Sequence, residues 1–121
     1  MFLRCVILAE ITIPSSVTTI GDYAFNDYNS LVKITIPSSV TSISDYTFIG
    51  CKLLKDFFIP SFVTSIKEGA FCNCESVGTL IIPSYVTSIE YNAFKCCSSL
   101  KNITNYESEI QKLRDQNENQ E

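Results

Sequence analysis

Histidine does not occur anywhere in the 121 residues. Its absence removes the Ser-His and Cys-His pairs of nucleophilic catalysis and every histidine metal ligand. Charge is also sparse: Asp, Glu, Lys and Arg make up 18% of the chain, with a net charge of −4 and no basic stripe. A nucleic-acid surface needs such a stripe, so that class of partner is set aside. Glycine occurs only 4 times and forms no phosphate-cradling loop. No apolar run approaches the ~20 residues that span a bilayer. The opening MFLRCVILAE has a charge and an apolar run, but the run is too short for a secretory h-region.

What the chain does have is a period. Aligned on Pro14, Pro37, Pro60 and Pro83, it repeats every 23 residues: 11–33, 34–56, 57–79 and 80–102. Phe2, Cys5, Leu8, Ile11 and Ile13 keep the spacing of Phe48, Cys51, Leu54, Phe57 and Ile59, so residues 1–10 read as a partial repeat without a separate cap. The pattern continues through Leu100 and Ile103. Residues 1–104 are therefore expected to form one repeat domain and 105–121 a tail. A fixed period of this size marks a solenoid, whose units bury their apolar sides only against one another.

Within each unit, Leu31-x-x-Ile34-x-Ile36 places apolar side chains on one face at the strand period. Proline ends that strand because it lacks the N–H a ladder needs. A Ser-rich turn follows, then Val40-Thr41-Ser42-Ile43 as a second short extended piece. Asp45-Tyr46-Thr47-Phe48 is expected to make a single helical turn, with Asp22, Asp45 and Glu68 at its entry. Stacked coils predict a parallel ladder with strands about 4.8 Å apart.

The recurring IxIPxxVTxIxxxAFxxCxxL resembles the BspA-like, or Treponema-type, leucine-rich repeat. That resemblance covers residues 2–104 and implies an α/β repeat solenoid. It would be a fragment of a right-handed horseshoe, mostly strand and loop with short helical turns, and with a parallel β-sheet on its concave face. It also implies a non-enzymatic module without a cofactor, similar to surface antigens and adhesins of bacteria and parasitic protists that bind host or matrix proteins. Departures are few: Tyr28 stands at the Cys position, Phe57 and Leu80 replace Ile, and Val77 replaces Leu.

The Ser and Thr residues recur at fixed turn and strand positions, which gives them a structural reading. Cys5, Cys51, Cys74 and Cys97 share one phase and are expected to stack inward as small hydrophobes with weak donors. Cys72 and Cys96 are off-phase, in adjacent coils and one residue out of register. Either a disulfide, whose Cα atoms would lie about 4.4–6.8 Å apart, or two free surface thiols fits that placement. A zinc site made of Cys72, Cys74, Cys96 and Cys97 would need two of them to leave the core.

Residues between the inward strand positions must point outward, giving the rows Ala9, Val32, Lys55, Gly78, Lys101, then Glu10, Lys33, Asp56, Thr79, Asn102, and Thr12, Thr35, Phe58, Ile81, Thr104. Phe58 and Ile81 break a polar rule in neighbouring coils, and Phe62 and Tyr85 stand where earlier coils carry Ser16 and Ser39. With Lys55 they form a candidate partner-binding patch, since exposed apolar clusters and aromatic anchors mark interfaces. Asn102-Ile103-Thr104 is a glycosylation sequon, with meaning only in a secreted eukaryotic protein. In the tail, Glu107, Glu109, Asp115, Glu118 and Glu121 stand against Lys112 and Arg114, which is −3. Tyr106, Ile110 and Leu113 have helical spacing there, so the tail reads as a capping helix, a coiled-coil start or a disordered end. The alternative function is an intracellular scaffold that self-associates through an open solenoid edge and this tail. A signal sequence, a glycan on Asn102 and the redox state of Cys72 and Cys96 separate the two.

Overall fold

A computed structural model describes residues 7–55, 57–105 and 114. The phase that puts proline at 14, 37, 60 and 83 also sets the spatial register. Parallel pairs join β1 (Ala9–Thr12) to β2 (Leu31–Thr35), with Glu10 opposite Lys33 and Ile11 opposite Ile34. They likewise join β5 (Thr79–Ile82) to β7 (Asn102–Asn105). The second extended piece forms a three-stranded parallel ladder of β3 (Ser42–Ile43), β4 (Ser65–Ile66) and β6 (Ser88–Ile89). Partners in that ladder are 23 residues apart, Ser42 to Ser65 to Ser88, so each coil lies on the next without slippage.

Side chains of one phase stack into the core between these ladders. Val40 and Val63, Ile43 and Ile66, Leu54 and Val77, and Cys51 and Cys74 are all buried. Phe25, Phe48, Phe71 and Phe94 form a spine of near-parallel rings, with centroids 5.4, 5.4 and 5.6 Å apart. Such offset stacks contribute about 0.5–1.5 kcal/mol per pair beyond the area they bury. Thr47, the buried polar member of an otherwise alanine phase, satisfies its hydroxyl on Ser44 C=O at 2.8 Å.

Two expectations need correction. The segment from Asp45 to Cys51 is a ribbon of turns in place of a helical turn. Thr47, Ile49 and Cys51 donate their N–H groups to the carbonyl three residues back. The alternate residues Tyr46, Phe48 and Gly50 donate instead to Glu68, Ala70 and Cys72 of the next coil. Left-handed backbone at Tyr23, Tyr46, Gly69 and Asn92, and again at Asp27, Gly50, Asn73 and Cys96, turns every other N–H outward. A helix cannot propagate through such residues.

The parallel strand ladder that stacked coils predict is present but interrupted at coil three among the described residues. Ile13 N–H donates to Thr35 C=O at 3.0 Å. The same bond one and two coils on, from Ile36 to Phe58 and from Ile59 to Ile81, is not formed. Lys55 N–H reaches Val32 C=O at 3.1 Å and Lys101 N–H reaches Gly78 C=O at 3.0 Å, yet no bond joins Gly78 N–H to Lys55 C=O between them. Phe57 supplies the reason. It fills a slot that Ile11 and Ile34 occupy in the earlier coils, and its ring is wedged edge-on against Phe48 at 5.2 Å and Phe71 at 4.7 Å. A ring in an isoleucine slot accounts for the loss of ladder bonds beyond Lys55, where the strand of coil three bonds neither neighbour among the described residues.

Candidate partner-binding face

Strand alternation buries Phe57, Ile59, Leu80 and Ile82 and turns Phe58 and Ile81 outward. Phe58 is 75% exposed and Ile81 43%, where coils one and two present Thr12 and Thr35. Between coils three and four an open groove of about 610 Å³ is lined by Lys55, Phe58, Ser76, Gly78, Ile81 and Pro83, among others. Three of the five proposed patch residues, Lys55, Phe58 and Ile81, thus share one concavity. Phe62 and Tyr85 lie beyond the proline turn, 52% and 57% exposed, with rings 5.7 Å apart. They form a neighbouring pair outside the groove lining.

Gly78, Ser76 and Pro83 were not singled out from the sequence. Gly78 carried a readable signal: it is the row position without a side chain, flanked by Lys55 and Lys101. A Cβ there would meet nothing nearer than Ser99 C=O at 3.8 Å, so glycine keeps the groove floor low without being required by packing.

The hydroxyl groups serve the stack. Ser39 Oγ donates to Val17 C=O at 2.6 Å, Ser44 Oγ to Ile20 C=O at 2.6 Å, and Thr64 and Thr87 Oγ1 to the preceding threonine carbonyl at 3.3 Å. The cysteine ladder behaves the same way. Cys51, Cys74 and Cys97 donate their thiols to Phe25, Phe48 and Phe71 C=O at 3.1, 3.1 and 3.0 Å. Burial, the largest cause, pushes the Cys51 thiol up to about 11 and raises Cys74 and Cys97 in the same direction. Cys5 lies outside the described residues.

Cys72 and Cys96 are free thiols, half-buried and exposed respectively. Burial raises the Cys72 thiol first, and the neighbouring Cys96 adds to it. Because Cys74 and Cys97 are committed to carbonyls, the four sulfurs do not converge, and no metal-holding cluster occurs among the described residues. Among the described residues one ion pair, Lys67 with Glu90 at 3.4 Å, bridges two coils at a half-exposed site and adds little. Asn102 opens β7 opposite Thr79. The tail readings on 106–113 and 115–121 fall outside the described residues, where no helix is long and apolar enough to cross a membrane.

Register-locked coils, parallel ladders and cysteine and phenylalanine spines define a leucine-rich-repeat solenoid. The chain belongs to the family described as the BspA type leucine rich repeat region, whose model matches residues 1–117 in 6 copies. Among solved structures it is similar to a leucine rich cell surface protein from Faecalibacterium prausnitzii, at 38% identity and a TM-score of 0.79 over 84% of this chain. A leucine-rich repeat protein from Bacteroides ovatus matches 78% of the chain at 41% identity and 0.76. One from Bacteroides capillosus matches 79% at 29% and 0.71, over 75% of its own length. The chain spans 27% and 24% of the first two proteins' lengths. No curated protein matched it.

Proposed function

We propose that this chain is a non-enzymatic protein-binding module of a surface-displayed protein, and that its partner docks on the concave face of coils three and four. The observation that carries the reading is the pair Phe58 and Ile81, large, apolar and exposed in adjacent coils where the repeat otherwise places threonine. Solvent-facing apolar groups clustered beside a groove are the usual anchors of recognition. The non-enzymatic part is supported by the commitment of Ser39, Ser44, Thr64, Cys51 and Cys74 to carbonyls of neighbouring coils. Surface display is supported by the description of the Faecalibacterium relative as a cell surface protein.

Surface plasmon resonance against immobilised extracellular matrix glycoproteins tests both halves. The wild-type chain is expected to bind, and Phe58→Ser with Ile81→Thr to weaken binding by about 30-fold or more, as for a hot-spot pair. Equal binding by the double variant refutes the face. Absence of wild-type binding to every matrix protein refutes the surface role.

A further inference from the structure

The groove is more than apolar surface, because the interrupted ladder leaves two backbone groups of its lining unbonded to each other. Lys55 C=O and Gly78 N–H would bond each other in an unbroken stack, and here neither meets the other although both residues line the groove. A carbonyl and an amide of groove-lining residues that do not pair with each other are groups an extended peptide can engage when it adds to a sheet.

Charge narrows the occupant. The chain carries −4 overall, yet the outward strand positions that are described hold Lys33, Lys55 and Lys101, all exposed, against Glu10. Among the described residues of the groove lining Lys55 is the charged one, Asp56 following it in sequence, and Gly78 puts no side chain between it and Lys101 in the same row. Phe58, Ile81 and Pro83 form the apolar wall beside that charge. A volume of about 610 Å³ lies within the range of roughly 300–1,000 Å³ that ordinary ligand sites occupy.

We infer that the slot between coils three and four takes an extended peptide segment of the partner, in which a carboxylate side chain sits beside a bulky apolar one. The carboxylate meets the Lys55 ammonium over Gly78, the apolar side chain lies on Phe58 and Ile81, and the peptide backbone uses Lys55 C=O and Gly78 N–H. This inference rests on the concave-face reading above and specifies its partner.

Phage-displayed random heptapeptides selected on the immobilised chain test it, with Lys55→Glu and the Phe58→Ser, Ile81→Thr double variant selected in parallel. All of these positions are exposed, and circular dichroism confirms that each variant is folded. On the wild type, sequences with Asp or Glu beside Phe, Leu or Ile are expected to be enriched. A synthetic copy of the top sequence should lose at least about tenfold in affinity on Lys55→Glu, and again when its carboxylate is replaced by an amide. Enrichment of purely apolar peptides, lost only in the double variant, overturns the carboxylate inference and leaves the binding face standing. No peptide enrichment on the wild type, with sedimentation showing self-association or with heparin bound instead, overturns it as well.

Discussion

Replacing Phe57 by isoleucine restores the residue of coils one and two and should close the concave ladder. The change removes two edge-to-face contacts, with Phe48 and Phe71 at 5.2 and 4.7 Å, a loss of about 1–3 kcal/mol. It permits three backbone bonds: Ile36 to Phe58, Ile59 to Ile81 and Gly78 to Lys55. At about 0.5–1.5 kcal/mol net for each, they return about 1.5–4.5 kcal/mol. The two sums overlap, leaving a net anywhere from about 1.5 kcal/mol lost to about 3.5 gained, so global stability cannot decide the matter. Amide hydrogen exchange can, because it reads each bond separately. In the wild type, the amides of Ile36, Ile59 and Gly78 should exchange faster than those of Lys55 and Lys101, which are bonded. In Phe57→Ile they should slow by about tenfold or more, equivalent to about 1.4 kcal/mol each, while peptide binding at the groove weakens. If these three amides are already protected in the wild type, or exchange no more slowly in the variant, the wedge argument is wrong.

Other consequences of the stack can be measured directly. Phe48→Ala should cost about 4–5 kcal/mol, because Phe48 is fully buried and stacked on both sides. Phe94→Ala, half-buried and stacked on Phe71 alone among the described rings, should cost about half as much; equal urea midpoints would contradict the spine. Gly69→Ala should destabilise by about 1–3 kcal/mol, since φ is +60° and a Cβ would strike the Tyr46 ring. Gly78→Ala, with open space around it, should be neutral in thermal melts. The raised cysteines set a pH dependence. An unfolded Cys51 loses its proton near pH 8.5, whereas the folded one keeps it to about 11. Above pH 8.5 the native state therefore binds more protons, and stability should fall as pH rises to 10, by up to about 1.4 kcal/mol per unit. A urea midpoint that stays flat from pH 8.5 to 10 under reducing conditions would refute the buried-thiol account.

The stack was legible because its information is periodic. A phase read at proline carries over to every inward position, so the 23-residue register of Ser42, Ser65 and Ser88 follows from counting. Exposure of Phe58 and Ile81 was legible for the same reason, as alternation allows nothing else once their neighbours are buried. The turn ribbon was harder, since tyrosine at 23 and 46 hides a left-handed position. Glycine at 69 and asparagine at 92 share that phase, as do Asp27, Gly50 and Asn73 in the other, and such residues are the ones that tolerate it. That composition was a usable signal, and the expectation of a helical turn overlooked it. The broken ladder had no one-dimensional signature. It depends on what a phenylalanine at 57 meets across the core, which is Phe48 of the preceding coil and Phe71 of its own.

The direction of these departures argues for function. Ser39 stabilises its coil through two carbonyls of the one before, at 3.0 and 2.6 Å. Coils three and four forgo that donor and place Phe62 and Tyr85 in its phase, exposed to water. Coil three also replaces isoleucine by Phe57 and loses ladder bonds, while Thr12 and Thr35 give way to Phe58 and Ile81. Each change removes a hydrogen bond or exposes apolar area, and each is costly to the isolated solenoid. Drift would scatter such costs over all sides of a coil. Phe58, Ile81, Phe62 and Tyr85 gather on the concave strand and the turn beside it, in two consecutive coils, with Tyr91, in the phase of Asp22, Asp45 and Glu68, exposed on another side, whereas the cysteine and phenylalanine spines run through the same coils intact. On the concave-face proposal, a stack that keeps its cysteine and phenylalanine spines regular and varies mainly on one face is shaped for what that face meets.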